Sequence, residues 1–427
     1  MGMTMAEKIL ARCAGRTAVS AGEIVTAKVD CAMLDDILGP RVVDEALKHI
    51  GGELKPWDAS KTVVICDHYA PSATVHQADI VVYTREWAKK KGVTENYFEG
   101  LGPCHQILAE NGFSFPGTLQ VGTDSHTCTA GAFGCLGTGI GSTEMGAVLL
   151  TGEIWLRVPE TILIRWRGDL SPGVMAKDMI LRCIGDLGHA GATYQSMEFQ
   201  GETISSLPMD ERMCISNMCV EAGAKCGLIP ADDKTASFLR EHGCEKDFVP
   251  VSGDEDANYC RVLEYNADAL VPQIACPHNV DNVHPVSEVQ GTAMQRAYLG
   301  SCTGGRLNDL EIAARILKNR KVSKDTKLLV SPASQRIWKE AARRGLLSDL
   351  AEAGATILAP TCGACLGVHS GLIGAGESCV SSSNRNFKGR MGSKDGFVYL
   401  ASPATVAASA IKGALADPRE YLERGEI

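Results

Sequence analysis

No stretch of the sequence reaches the roughly 18 consecutive apolar residues of a membrane-spanning helix, so none is expected. Residues 1–15 lack the apolar core of a secretory signal, and Glu7, Lys8 and Arg12 break up what reads as a helix, which points to the cytoplasm. A basic excess is missing too. Lys and Arg total 42 against 51 Asp and Glu, a net charge of −9, which argues against non-specific nucleic-acid binding and requires any anion site to be local. The basic cluster of Lys318, Arg320, Lys321 and Lys324 lacks the interleaved aromatics of an RNA surface. There is no Gly-Lys-Ser/Thr phosphate loop, and Gly134, Gly137, Gly139 and Gly141 have the wrong spacing for a dinucleotide fingerprint; close backbone packing explains them better. Without a Gly-x-Ser-x-Gly elbow, Asp124-Ser125-His126 is not a hydrolase triad, since neighbours in sequence point in different directions. The short, regular cysteine spacing of a secreted disulfide scaffold is also absent, so the seventeen cysteines read as reduced thiols.

What is present is ordinary globular composition, 427 residues with 45% hydrophobic and 22% charged, enough for two or three domains. Strands are expected at 23–30, 63–66, 161–168, 327–330 and 355–358, and helices at 174–187, 217–227, 307–318 and 333–345. This alternation predicts α/β units with largely parallel sheets, divided at 1–158, 159–285 and 286–427, with 272–285 as an extended link. In such sheets ligand-binding groups gather where strands give way to loops. Asp67-His68 sits at such a place, and so do Gly102-Pro103-Cys104-His105 and Thr123-Asp124-Ser125-His126. A capping aspartate beside an unremarkable histidine is the plainer reading of the first pair.

The densest chemistry is Pro360-Thr361-Cys362-Gly363-Ala364-Cys365, followed by Ser383-Asn384-Arg385-Asn386-Phe387-Lys388-Gly389-Arg390. A Cys-x-x-Cys pair suits zinc, a redox dithiol or an iron–sulfur cluster, and two buried apolar cysteines would look the same. Cys302, in Gly300-Ser301-Cys302-Thr303-Gly304-Gly305, adds a third cysteine in a Gly-rich loop. With His369, four residues after Cys365, a closed Cys3His zinc site is one reading. Three thiolates on a four-iron cluster with one open iron is the other.

Cys302, Cys362 and Cys365, together with Asn384-Arg385-Asn386-Phe387 and Arg390, resemble the motifs of the aconitase family, and the resemblance runs through nearly the whole chain. It is strongest to the two-chain dehydratases typified by 3-isopropylmalate dehydratase and homoaconitase. The resemblance implies three related α/β domains around a [4Fe-4S] cluster held by Cys302, Cys362 and Cys365, and removal of water from a 2-hydroxy di- or tricarboxylic acid. It implies that Asp67 orients His68 toward the substrate hydroxyl, with His105, Asp124 and His126 close by. Glu198 becomes the partner of an active-site histidine, His105 being the expected one. Ser125, Asn384, Arg385 and Arg390 become substrate contacts. Asp35 stands where relatives contact substrate through other residue types, and Gly304-Gly305 replaces an Asn-containing turn. Family members draw their base, a serine, from a swivelling domain; the sequence ends at Ile427 without one, which implies a small partner subunit.

Overall fold

The computed structural model describes residues 2–48 and 55–422, so the last five residues lie outside it. Its framework is three α/β units, each on its own sheet. The first sheet has five parallel strands in the order Tyr97–Glu99, Thr62–Cys66, Cys31–Asp35, Leu119–Gly122 and Leu136–Gly139. The second has four parallel strands, Cys226–Leu228, Ser196–Gln200, Thr161–Arg167 and Arg261–Asn266. The third has seven, with five parallel strands from Phe397–Leu400 through Ser378–Ser381, Arg296–Gly300 and Lys327–Ser331 to Thr356–Ile357. The strands nearest the sheet centres are buried on both faces, as parallel sheets require: Thr62–Cys66 and Cys31–Asp35 have no exposed position.

Three expectations change. The strand expected at 23–30 forms as Ile24–Lys28, but it pairs antiparallel with Glu153–Arg157 in a separate ribbon. The expected link at 272–285 instead holds two strands of the third sheet: Gln273–Ala275 pairs antiparallel with Phe397–Leu400, and Val283–Pro285 pairs antiparallel with it at the sheet's edge. The helix expected at 217–227 ends early. Met209–Met218 is helical, a 3₁₀ turn follows at Cys219–Ala222, and Gly223 at φ 85° stops it, so that Cys226 starts a strand. Cys219 and Cys226 are therefore not on one helix face, although both are buried.

The remaining elements form close to where periodicity places them. Ala176–Leu187 and Leu307–Leu317 are helices with an apolar side against the core, and Gln335–Arg343 is capped by Ser334, whose hydroxyl accepts from Ile337 N. The glycine-rich segment packs as expected: a side chain at Gly137 would meet Thr127 O at 2.3 Å, so the edge strand Leu136–Gly139 lies directly on the 3₁₀ turn Ser125–Phe133. No helix among the described residues is long and apolar enough to cross a membrane.

Candidate active site

The chemistry collects at the carboxyl ends of the parallel strands, where the backbone leaves the sheet and frees its side chains. Thr62–Cys66 delivers Asp67-His68, Cys31–Asp35 delivers Asp36, Arg296–Gly300 delivers Cys302, and Ser378–Ser381 delivers Asn384 and Arg385. The loop holding Cys362 is docked onto the first unit. Thr361 Oγ1 and Cys362 N donate to the Asp67 carbonyl at 2.8 and 3.2 Å.

Three imidazoles each meet a carboxylate. His68 Nδ1 is hydrogen-bonded to Asp36 Oδ1 at 3.1 Å, and Asp67 Oδ1 approaches the same nitrogen to 2.9 Å outside hydrogen-bond alignment. Its other nitrogen, Nε2, lies 3.6 Å from Asp124 Oδ2. Burial alone would lower the His68 pKa, but Asp67, Cys362, Asp124 and Asp36 outweigh it and raise the pKa well above its ordinary value. His105 Nε2 lies 2.9 Å from Asp124 Oδ1, and His126 N donates to the same oxygen at 2.7 Å. Burial would raise Asp124, yet His105, His126 and His68 hold it well below the usual carboxylate range. His126 Nε2 is 2.8 Å from Glu221 Oε1, which also accepts from Arg385 Nε at 2.7 Å.

A cleft of about 680 Å³ opens over these groups, lined by Asp35, His68, Asp124, Ser125, Arg385 and Arg390 among others. Arg390 is largely buried; desolvation disfavours its charge, but the neighbouring sulfurs of Cys365 and Cys362 and the carboxylate of Asp124 outweigh it and keep the guanidinium cationic. Its Nε has no protein partner, a buried donor left for a ligand. A larger cavity, about 1250 Å³, is lined by Gln106 and Glu110 and by none of His68, Asp124, Arg385 and Arg390.

The three cysteines come from two loops and form no disulfide. Asn217 Nδ2 donates to Cys302 Sγ at 3.2 Å, the Cys365 thiol donates to Asn384 Oδ1 at 3.3 Å, and the two asparagines are joined at 3.3 Å. Burial pushes the Cys302 thiol up to about 12, whereas the Cys362 S–H and, less strongly, Arg390 hold Cys365 well below its ordinary value. Cys302, Cys362 and Cys365 do not form a group whose sulfurs all lie within 4.8 Å of one another, among the described residues. Sulfurs on one zinc, with bonds of about 2.3 Å, would be closer than that. His369 is also committed elsewhere: Nε2 is 3.0 Å from the His68 carbonyl and Nδ1 is 2.7 Å from Ser370 Oγ. The closed Cys3His site is therefore not what the fold builds. What the fold does place here is a soft set of three thiols, with a buried, partnerless Tyr298 hydroxyl in the strand that precedes Cys302.

Most expected site residues thus meet in one place, but two do not behave as expected. Glu198 is not beside His105; its carboxylate accepts from Met5 N at 3.1 Å, Tyr259 OH at 3.0 Å and Gln200 Nε2 at 2.8 Å, tying the first helix to the second sheet. Asp35 lines the cleft, yet its oxygens accept from Ile37 N and Leu38 N, each at 2.7 Å, and from the Thr123 hydroxyl. Desolvation raises its pKa. Sequence reasoning missed Asp36, Glu221 and Asn217. The first follows Asp35 where a strand ends, a legible position, whereas the other two lie in a segment read as a plain buried helix.

The comparisons agree with this geometry. The family model described as "Aconitase family (aconitate hydratase)" matches residues 25–294 and 287–413. The chain is 48% identical to a probable 3-isopropylmalate dehydratase large subunit of Methanothermobacter thermautotrophicus, with 98% of this chain and 99% of that one covered. It is 47% identical to a 3-isopropylmalate dehydratase large subunit of Methanopyrus kandleri, covering 99% and 100%. It is also 47% identical to a probable methanogen homoaconitase large subunit of Methanosarcina mazei, covering 92% and 99%. Thiol loops beside a cleft lined by imidazole, carboxylate and guanidinium groups, over a sequence matched for nearly its whole length, place this chain in the aconitase family.

Proposed function

We propose that the chain is the large subunit of a two-chain hydro-lyase that removes and re-adds water on a 2-hydroxy di- or tricarboxylic acid of the 3-isopropylmalate type. Cys302, Cys362 and Cys365 would hold a [4Fe-4S] cluster, which when bound supplies a Lewis acid for the substrate hydroxyl. His68 supplies the proton for the departing oxygen. Its Nδ1 is fixed by Asp36 and flanked by Asp67, leaving Nε2–H toward the cleft on a ring kept cationic. Asp124 holds His105, and Glu221 holds His126, so both rings keep one tautomer and orientation. Arg385 and Arg390 bind the substrate carboxylates, and Ser125 at the rim adds a hydroxyl. The base comes from the small subunit, as a serine on its swivelling domain.

The observation that carries the reading is the cationic pair Arg385 and Arg390 on one cleft with His68 and its carboxylate neighbour Asp124, beside Leu366 of the Cys362–Cys365 loop. A second substrate class, homocitrate-like tricarboxylates, is favoured by the similarity to homoaconitase large subunits. The test is anaerobic preparation with a small subunit, analysis of iron and sulfide, and assay against 3-isopropylmalate, homocitrate, citrate and 2,3-dimethylmalate. About four irons per chain and turnover of at least one acid are expected; one zinc per chain, no colour and no turnover would refute it.

A further inference from the structure

Lys177, in the first turn of helix Ala176–Leu187, is 1% exposed, yet no described carboxylate forms an ion pair with it. Its ammonium donates to the Ser383 carbonyl at 2.6 Å and the Ser382 carbonyl at 3.1 Å, and lies 3.6 Å from Met218 Sδ. Burying an ammonium without a carboxylate is costly, so a chain that does so must gain something from its position. The two carbonyls it grips belong to the turn after Ser378–Ser381, directly before Asn384 and Arg385. The Ser382 carbonyl also accepts from Thr303 Oγ1 at 2.9 Å, and Gly300 N donates to Ser382 Oγ at 2.9 Å, so the same turn braces the loop of Cys302.

We propose that Lys177 is a positioning residue: from the second unit, its ammonium clamps two successive carbonyls of the third and thereby sets Arg385 at the cleft and the Cys302 loop behind it. Two carbonyl dipoles converging on one cation fix the turn's orientation more tightly than a backbone hydrogen bond would, because charge-assisted bonds are shorter and stronger. Arg385 is further held by Glu221, so turn and side chain are located independently. Its effect on substrate rests on the dehydratase reading above; its effect on the turn does not.

The test compares Lys177→Met and Lys177→Arg with Ile180→Ala, a buried apolar residue on the same helix with no polar group to grip the turn. In the chain alone, hydrogen–deuterium exchange of the segment 382–387 should rise about tenfold in Lys177→Met, the equivalent of one lost buried hydrogen bond. In the complex with the small subunit, KM for the substrate should rise about tenfold with a smaller change in kcat, because Arg385 acts in binding. Lys177→Arg, which keeps charge and donors, should fall between. Ile180→Ala should lower Tm and leave exchange at 382–387 and KM unchanged. Wild-type exchange and KM in Lys177→Met, or equal effects from Ile180→Ala, would overturn the proposal. So would failure of both Lys177 variants to fold, which would make Lys177 a residue of folding. If the wild-type complex turned over no hydroxy acid, the dehydratase reading would fail while the exchange measurement still decided the role of Lys177.

Discussion

Asp35 illustrates how a residue at the edge of a cleft can be held for its own turn. On the dehydratase reading, a carboxylate there would repel the substrate's, and a histidine would improve binding. With both oxygens accepting bonds from Ile37 N, Leu38 N and Thr123, the opposite is expected. Asp35→His should cost about 3 kcal/mol of stability in denaturant unfolding and leave the ratios of kcat/KM across the four acids unchanged. The cysteines divide as sharply. Serine at Cys302, Cys362 or Cys365 should reduce bound iron to background, whereas serine at Cys219 or Cys379, buried without metal chemistry, should leave iron content at the wild-type value. Asp178 gives a pH signature. Burial raises it to about 7, and it accepts from Met175 N and Gln273 N. The native state therefore keeps a proton that the unfolded chain has lost, and stability falls as pH rises from about 4 to about 7, then levels off. Asp178→Asn should flatten that slope in the chain without metal, as read from Tm against pH.

Elements were legible in proportion to how local their causes are. Strands such as Thr161–Arg167 and helices such as Leu307–Leu317 are written in hydrophobic periodicity, and their ends in caps. The segment 217–227 was misread because Gly223, whose backbone decides the matter, carries no hydrophobic signal, and 272–285 because prolines on edge strands look like linker. Site residues on loops after strands were found, since position and type agree there. Partnerships were not. Which carboxylate meets which imidazole depends on how three sheets face one another, so the sequence points to Glu198 as an imidazole's partner, whereas the fold puts Glu221 there. The arginines illustrate the same dependence. Arg385→Lys and Arg390→Lys should each weaken every acid in the panel by about tenfold or more in KM, because an ammonium cannot reproduce the guanidinium fork. Equal affinities would take that arginine out of the substrate site.

At the scale of the whole molecule, the first and third sheets turn their carboxyl ends toward the cleft and the second its amino ends, at Thr193, Tyr194, Ala224 and Lys225, and each unit supplies part of the surrounding chemistry: the first the imidazoles, the second Glu221 and Asn217, the third the thiols and guanidiniums. The resemblance gave this architecture, while composition excluded alternatives and no more. Steady turnover should be undetectable for the purified chain and appear on adding the small subunit; turnover by the chain alone, free of that subunit, would show that the base is its own. The bond from Thr361 Oγ1 to the Asp67 carbonyl spans 294 residues of sequence. A ribosome releases the chain from the amino end, and domains tend to fold as they emerge, so the Asp67 loop is made and folded long before the thiols that dock on it exist. On the dehydratase reading, loading of the site would therefore be a late event in the life of each molecule. A nascent chain that stopped short of Cys362, however well its first unit folds, would offer an iron-delivery protein nothing to fill.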